Sequence, residues 1–357
     1  MMMKKIFLIP TCFIIFFYSC GNNKNPNTET SQNTESVLSE SPLLKQAKDL
    51  FKALPSVAEN PGGQIAKEKI ALGMKLYYDR KLSKDGHNSC NSCHNLETFG
   101  VDNEITSVGD AGKRGGRNSP TTLNAAFHFL QFWDGRAKDV EEQAGMPILN
   151  PVEMAIPSKE FLEKRLSSSE EYKIAFAAAF PQSKDPVTYD NLQNAIGAFE
   201  RTLITPSRFD KFLGGDTLAL NTDEKKGMEF FIATGCTACH SGMLLGGSMF
   251  QKFGMANDYR PLTGSKGNDE GRKAITKNDT DKDFFKVPSL RNIAKTYPYF
   301  HDGSVKELKD AVKVMAKAQL NKDLTDAEVL SIVKFLETLT GDVPLEALMK
   351  PKGVAMN

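Results

Sequence analysis

The chain has 357 residues, with 45 Lys and Arg against 44 Asp and Glu, for a formal net charge of +1. That balance offers no basic face to nucleic acid and no strong field to an anionic surface. Hydrophobic residues make up 40 %, enough for the cores of two domains and too few for a protein of several membrane spans.

In chain order, Met1 to Lys5 is short and basic, and Ile6 to Tyr18 is an apolar run interrupted by Pro10. The run is shorter than the ~20 apolar residues a spanning helix needs, so residues 1–19 read as a secretory signal peptide. Phe17-Tyr-Ser-Cys20-Gly resembles a loose bacterial lipobox, with Cys20 as the lipidated first residue. The Asn/Ser/Thr-rich residues that follow make 20–42 a flexible linker. The expected location is the periplasm, with the protein anchored as a lipoprotein through Cys20.

Ile65 to Tyr78 reads as a helix and runs toward Asn88-Ser-Cys-Asn-Ser-Cys-His94. Leu192, Ile196, Phe199 and Leu203 repeat at helical spacing. Pro206 to Gly215 marks a domain junction. Asp223 to Ile232 reads as a helix leading into Cys236-Thr-Ala-Cys-His240. Thr325-Asp-Ala-Glu328 is a capping box. It opens a helix with Val329, Ile332, Val333, Leu336 and Leu339 on one face, closed by Gly341. Few segments alternate as strands do. The expected fold is mainly α, with two cytochrome c-like domains at 43–205 and 206–341 and a C-terminal tail at 342–357.

Cys12 leaves with the signal and Cys20 is assigned to lipid. The other four cysteines all sit in Cys-x-x-Cys-His. Structural zinc pairs lie about 15–20 residues apart, whereas these motifs are far apart, and a redox dithiol needs no adjacent histidine. Covalent haem c uses all the positions: two thiols for the porphyrin vinyls and an imidazole for the iron. Cys90, Cys93 and His94 would hold one haem, and Cys236, Cys239 and His240 the other. A methionine at the sixth iron position makes a closed, higher-potential carrier, and an open position makes a reaction site. Met243, Met249, Met255 and Met315 are the candidates in the second half. Met315 is favoured because it shortly precedes the closing helix. The first half has no methionine at an equivalent place. It has Trp133, the only tryptophan, then Gln143 and Glu153. A carboxyl and an amide beside an open haem suit peroxide chemistry, since one carboxyl group can serve as base and then as acid.

The sequence resembles the bacterial dihaem cytochrome c peroxidase family from about Leu43 to Gly341. The resemblance rests on Leu72-Gly73, Leu82-Ser83, Arg117-Asn-Ser-Pro-Thr-Thr-Leu-Asn124, Phe132-Trp-Asp-Gly-Arg136, Glu142-Gln143, Pro151-Val-Glu-Met154, Phe285-Lys-Val-Pro-Ser-Leu-Arg-Asn292, Pro298-Tyr-Phe-His-Asp-Gly303, Met315 and Gln319. It implies that the haem on His94 reduces hydrogen peroxide, with Glu153 as acid–base group, Gln143 lining the pocket and Trp133 between the haems. The haem on His240, with Met315 as distal ligand, would receive electrons from a small cytochrome c or a cupredoxin. The resemblance also implies calcium, held by the Asn118 side chain and the carbonyls of Thr296 and Pro298, and a homodimer. Arg117, Arg136 and Arg291 are candidates for haem propionates or for structural pairing, and His301 is ambiguous in the same way. His87 and His128 read as ordinary. A dihaem oxidase acting on a partner protein, as in methylamine-dehydrogenase maturation, is one alternative, but it carries a tyrosine where Met315 stands. A non-enzymatic dihaem carrier is another, and it has no use for Glu153.

One loop departs from the family. Many members read Ser-x-Gly-His before the Arg-Asn-x-Pro motif, and that histidine closes the peroxide-reducing haem at rest. Here the loop is Ser107-Val-Gly-Asp110, followed by a glycine-rich stretch. The expectation is a mobile loop over an open first haem, with His128 the only substitute ligand.

Overall fold

The computed structural model describes residues 41–60 and 63–354. The signal segment 1–19 and Cys20 lie outside the described residues. The described chain is mainly helical. Its only named strands there, Phe250–Lys252 and Phe284–Lys286, pair antiparallel with Phe250 opposite Lys286.

Each half is organised by one close helix crossing. In the first, helix Lys67–Tyr78 crosses helix Tyr189–Glu200 at Gly73. A Cβ there would lie 1.8 Å from the Ala195 carbonyl oxygen, so only glycine lets the two backbones meet. The second half repeats the device. Helix Thr222–Thr234 crosses helix Asp326–Glu337 at Gly227, where a Cβ would lie 2.0 Å from the Ser331 oxygen. Capping boxes start both of these helices, Asn221 with Glu224 and Thr325 with Glu328.

Two cores result. Leu72, Leu76, Tyr77, Tyr172, Phe176 and Phe199 fill the first. Phe209, Phe212, Met228, Phe231, Phe335 and Leu336 fill the second. A smaller aromatic cluster of Phe253, Tyr259, Phe285 and Tyr299 has Trp133 packed against it. Packing order departs from chain order at both ends. Helix Pro42–Leu50 puts Leu44 and Ala47 into the second core. Ala347, near the C-terminus, packs in the first, and its carbonyl accepts from Tyr78 Oη at 2.7 Å.

Two local expectations change. Helix Asp326–Glu337 ends before Thr338, not at Gly341. Gly341 pairs with Ser207 instead, where a Cβ would lie 2.3 Å from the Thr205 oxygen. Residues 206–215 are more than a connection. Ser207 and Asp210 form a capping box that starts helix Arg208–Leu213, which buries Phe209 and Phe212. Beside it, Thr205 is fully buried. Its Oγ1 accepts from Asn124 Nδ2 and Asn292 Nδ2, both at 2.8 Å. Asn292 Oδ1 in turn accepts from the Gly341 amide at 3.0 Å. A satisfied buried network of this kind fixes geometry, and it joins the ends of two sequence motifs to the junction.

Candidate active site

The two Cys-x-x-Cys-His motifs fold into single helical turns. Cys90–Cys93 is a one-turn helix capped by Ser89 and Ser92, and the His94 amide donates to the Cys90 carbonyl at 2.9 Å. The second turn, Cys236–Ala238, follows Gly235, whose φ of 97° ends the preceding helix. The His240 amide repeats the bond to the Cys236 carbonyl at 2.9 Å. Helical i, i+3 spacing puts both thiols of a pair on one side. All four cysteines are free thiols.

Each motif faces a cavity. Cys236, Cys239, His240, Met315 and His301 line one of about 230 Å³. Met315 comes from helix Leu308–Leu320, and Met243, Met249 and Met255 do not line this cavity. His240 Nδ1 lies 2.8 Å from the Leu245 carbonyl oxygen. That contact orients the ring and leaves Nε2 for a metal. Cys90, Cys93, His94, Trp133, Gln143 and Glu153 line the other cavity, of about 360 Å³. Burial pushes the pKa of both imidazoles down, which keeps them neutral and able to ligate. Two free thiols and the imidazole that follows them in sequence are the donor set that covalent haem needs, and each cavity has one such set, so the residues fit the group.

Glu153 sits in the turn after helix Val140–Leu149. Its Oε1 accepts from Asn150 Nδ2 at 3.0 Å. Burial raises its pKa, opposed by Arg136 and the Asn150 bond. Met154 also lines this cavity and is buried in the first core. The two cavities share a wall of Asn118, Ser119, Pro120, Thr121, Trp133 and Lys286. Trp133 Nε1 donates to the Asn118 carbonyl at 2.9 Å, and the Trp133 carbonyl accepts from the Lys286 amide at 2.7 Å.

The three arginines all have carboxylate partners. Arg117 grips Asp269 through Nε and a terminal nitrogen, at 2.6 and 2.8 Å, and reaches Asp134 at 2.6 Å. Arg136 bonds Asp134 at 3.0 Å and lies 3.4 Å over the Phe132 ring. Both line the first cavity. Arg291 is buried on Asp210 at 2.6 Å and lines neither cavity. His301 stacks on Phe285 at 4.2 Å. Thr296 and Pro298 line the second cavity, and Asn118 Nδ2 donates to the Glu104 carbonyl at 3.0 Å.

The Asp110 loop is docked, not loose. Asp110 is 3 % exposed, and its carboxylate accepts from the amides of Asp85 at 2.6 Å and His87 at 2.8 Å. Its own amide donates to the Glu153 carbonyl at 2.6 Å. A Cβ on Gly109 would lie 1.8 Å from the Val152 oxygen, so that glycine serves close packing. Burial alone would raise the Asp110 pKa, but the two amides and Ser83 outweigh it and hold the carboxyl below its usual range. Asp110 does not line the first cavity, though Gly109 and Gly115 do.

Two residues of the site went unmarked in the sequence. Glu200 lines the first cavity, and burial together with Glu141 pushes its carboxyl up to about 8. Lys286 stands inside a quoted motif. The signal available for it was a single cation among apolar neighbours, Phe284-Phe-Lys-Val-Pro288.

Comparison with known proteins agrees with this geometry. Residues 67–218 match the family model of di-haem cytochrome c peroxidase, and residues 224–340 match that of cytochrome c. The cytochrome c551 peroxidase of Pseudomonas aeruginosa is 48 % identical over 304 residues, covering 85 % of this chain and 87 % of that protein. The cytochrome c551 peroxidase of Nitrosomonas europaea is 48 % identical over 274 residues, covering 76 % and 80 %. Among solved structures, a MauG-like protein associated with microbial copper homeostasis superposes with a TM-score of 0.71. It is 28 % identical, covering 82 % of this chain and 95 % of that one. The chain belongs to the di-haem cytochrome c peroxidase family.

Proposed function

We propose that the protein reduces hydrogen peroxide to water in the first cavity, with electrons that enter at the second. The supporting observation is a half-buried carboxyl with a raised pKa, Glu153, in the same cavity as a Cys-x-x-Cys-His turn, next to a second cavity that holds Met315. Bound haem supplies the redox chemistry at both sites. The chain supplies the proton handling: Glu153 accepts a proton from one peroxide oxygen and returns it to the other. Asn150 fixes one carboxylate oxygen for that task, and Gln143 lines the space beside it. Trp133 occupies the wall that an electron must pass. The test is peroxide-dependent oxidation of a reduced donor. A small cytochrome c and a cupredoxin are the two donor classes to compare, and no turnover with either leaves the oxidase or carrier reading. Glu153 argues against a pure carrier, and Met315 against the oxidase that modifies a partner protein.

Met315→Ala should lower the midpoint potential of the second haem, because a methionine ligand raises it. Redox titration is the check. An unmoved high-potential couple would remove Met315 as the ligand.

Calcium at Asn118, Thr296 and Pro298 belongs to the same reading. With Nδ2 of Asn118 donating to Glu104, Oδ1 is the atom free for a hard cation. Metal analysis of the purified protein decides this, and absence of calcium removes it. A homodimer is expected on family grounds, and the mass by light scattering tests it.

We also place the protein in the periplasm, anchored through Cys20. Cys20→Ser should then move it from the membrane fraction to the soluble one, since each buried acyl CH₂ contributes about 0.8 kcal/mol. A wild-type protein that is already soluble would remove the anchor.

A further inference from the structure

Lys286 is the one charged residue in the wall shared by both cavities. It is 6 % exposed. Among the described residues its Nζ has one hydrogen-bond partner, His128 Nδ1, at 2.6 Å. His128 itself lines the first cavity. A buried ammonium without a carboxylate against it is costly, and among the described residues no carboxylate bonds Lys286 Nζ. Asp134 is the carboxylate that acts on it from nearby, and that group is already held by Arg117 and Arg136. Burial lowers the Lys286 pKa to about 7, with Asp134 opposing. Burial, and then the Lys286 charge, keep the His128 imidazole well below its ordinary value. His128 is therefore a neutral acceptor, and the pair carries one exchangeable proton. Glu153 and Glu200 line the first cavity together with the pair, and His301 lines the second together with Lys286.

We propose that Lys286 and His128 form a one-proton store in the wall between the two haem cavities, filled when an electron arrives and emptied when it leaves. Peroxide reduction joins one peroxide, two electrons and two protons into two waters. The donor protein supplies the electrons and solvent the protons. On filling, the Nζ lone pair takes a proton and a third N–H bond forms. On emptying, that bond breaks and the pair of electrons stays on nitrogen. A charge placed between the cavities favours an added electron on either side, so the wall would couple proton uptake to electron entry. The idea rests on the dihaem peroxidase reading, but its readout is a potential and not turnover. A protein that holds both haems yet fails to reduce peroxide would still test it.

The sign follows from the lysine. Below about pH 7 Lys286 is charged and supports the reduced state, and above it the charge is lost. The test is spectroelectrochemical titration of the holoenzyme from about pH 6 to about pH 8. In wild type at least one haem potential should fall as pH rises. Lys286→Met should give a level potential near the wild-type value at high pH. Lys286→Arg should give a level potential near the wild-type value at low pH, because an arginine keeps its charge. Should Lys286→Met fail to load haem, His128→Leu serves instead. Losing the imidazole acceptor, with no other acceptor in its place, should move the pH-dependent window downward. A flat wild-type profile, a wild-type slope retained in Lys286→Met, or an unshifted window in His128→Leu would each overturn the proposal.

Discussion

Glu153→Gln should retain both haems and lose peroxidase turnover by about 10²–10⁴-fold, the range for removal of a general acid–base group. Glutamine preserves the shape of the side chain and can still accept from Asn150 Nδ2, so the turn at 150–154 has no reason to move. What it cannot do is take a proton. The peroxide oxygen that stays must give up a proton and the oxygen that leaves must gain one, and we propose that Glu153, which lines this cavity, does both. The pH profile carries a second signature. Glu153 works as a base only when ionised, and burial raises its pKa. Turnover in wild type should therefore fall on the acid side at a pH above the ordinary glutamate value of about 4.3, and that limb should vanish in the variant. Haem absorbance and steady-state rates are the measurements. Near-normal turnover in Glu153→Gln would remove the residue from the chemistry and direct attention to Glu200, a buried carboxyl that also lines the cavity.

What the sequence made legible was local chemistry and local period. The Cys-x-x-Cys-His turns are set by one helical turn and by the reactions of thiol and imidazole, so spacing alone was enough. The capping box at Thr325 was legible for the same reason, since its partners are three residues apart. The long-range features were not. Nothing near Thr205 announces that Asn124 and Asn292 meet on its hydroxyl. Gly341 read as a helix terminator because that is the commonest use of such a glycine, whereas its role is a close approach to the Thr205 backbone. Gly109 read as a source of mobility, yet it is a glycine because Val152 leaves no room for a side chain. Lys286 is the sharpest case. A lysine defaults to the surface, and only the pairing of Phe284–Lys286 with Phe250–Lys252, together with the Lys286 amide bond to Trp133, carries it into the wall between the cavities.

The oxidised enzyme should show a high-spin first haem, open or water-bound, and should react with peroxide without prior reduction. Where the resemblance implies a histidine, this chain has Asp110, and a carboxylate is a poor low-spin ligand compared with imidazole. The structure adds a stronger reason than identity. Asp110 is committed elsewhere, with one oxygen on the Asp85 amide and the other on the His87 amide. Withdrawing it would leave two amides unpaired, at about 1–3 kcal/mol for each one that stays buried. Its loop is also tied to the Glu153 turn by the Asp110 amide and by the contact at Gly109. A segment held at both its backbone and its side chain is not free to reach into the cavity. His128 is the remaining imidazole on that wall, and its Nδ1 bond to Lys286 leaves only Nε2 as a possible ligand atom. The measurement is an electron paramagnetic resonance spectrum of the oxidised protein, read beside the first turnovers after mixing with peroxide. A high-spin signal from one haem and no lag is the expected result. Two low-spin haems would mean that an imidazole does close the first site, and His128 would be the residue to replace next.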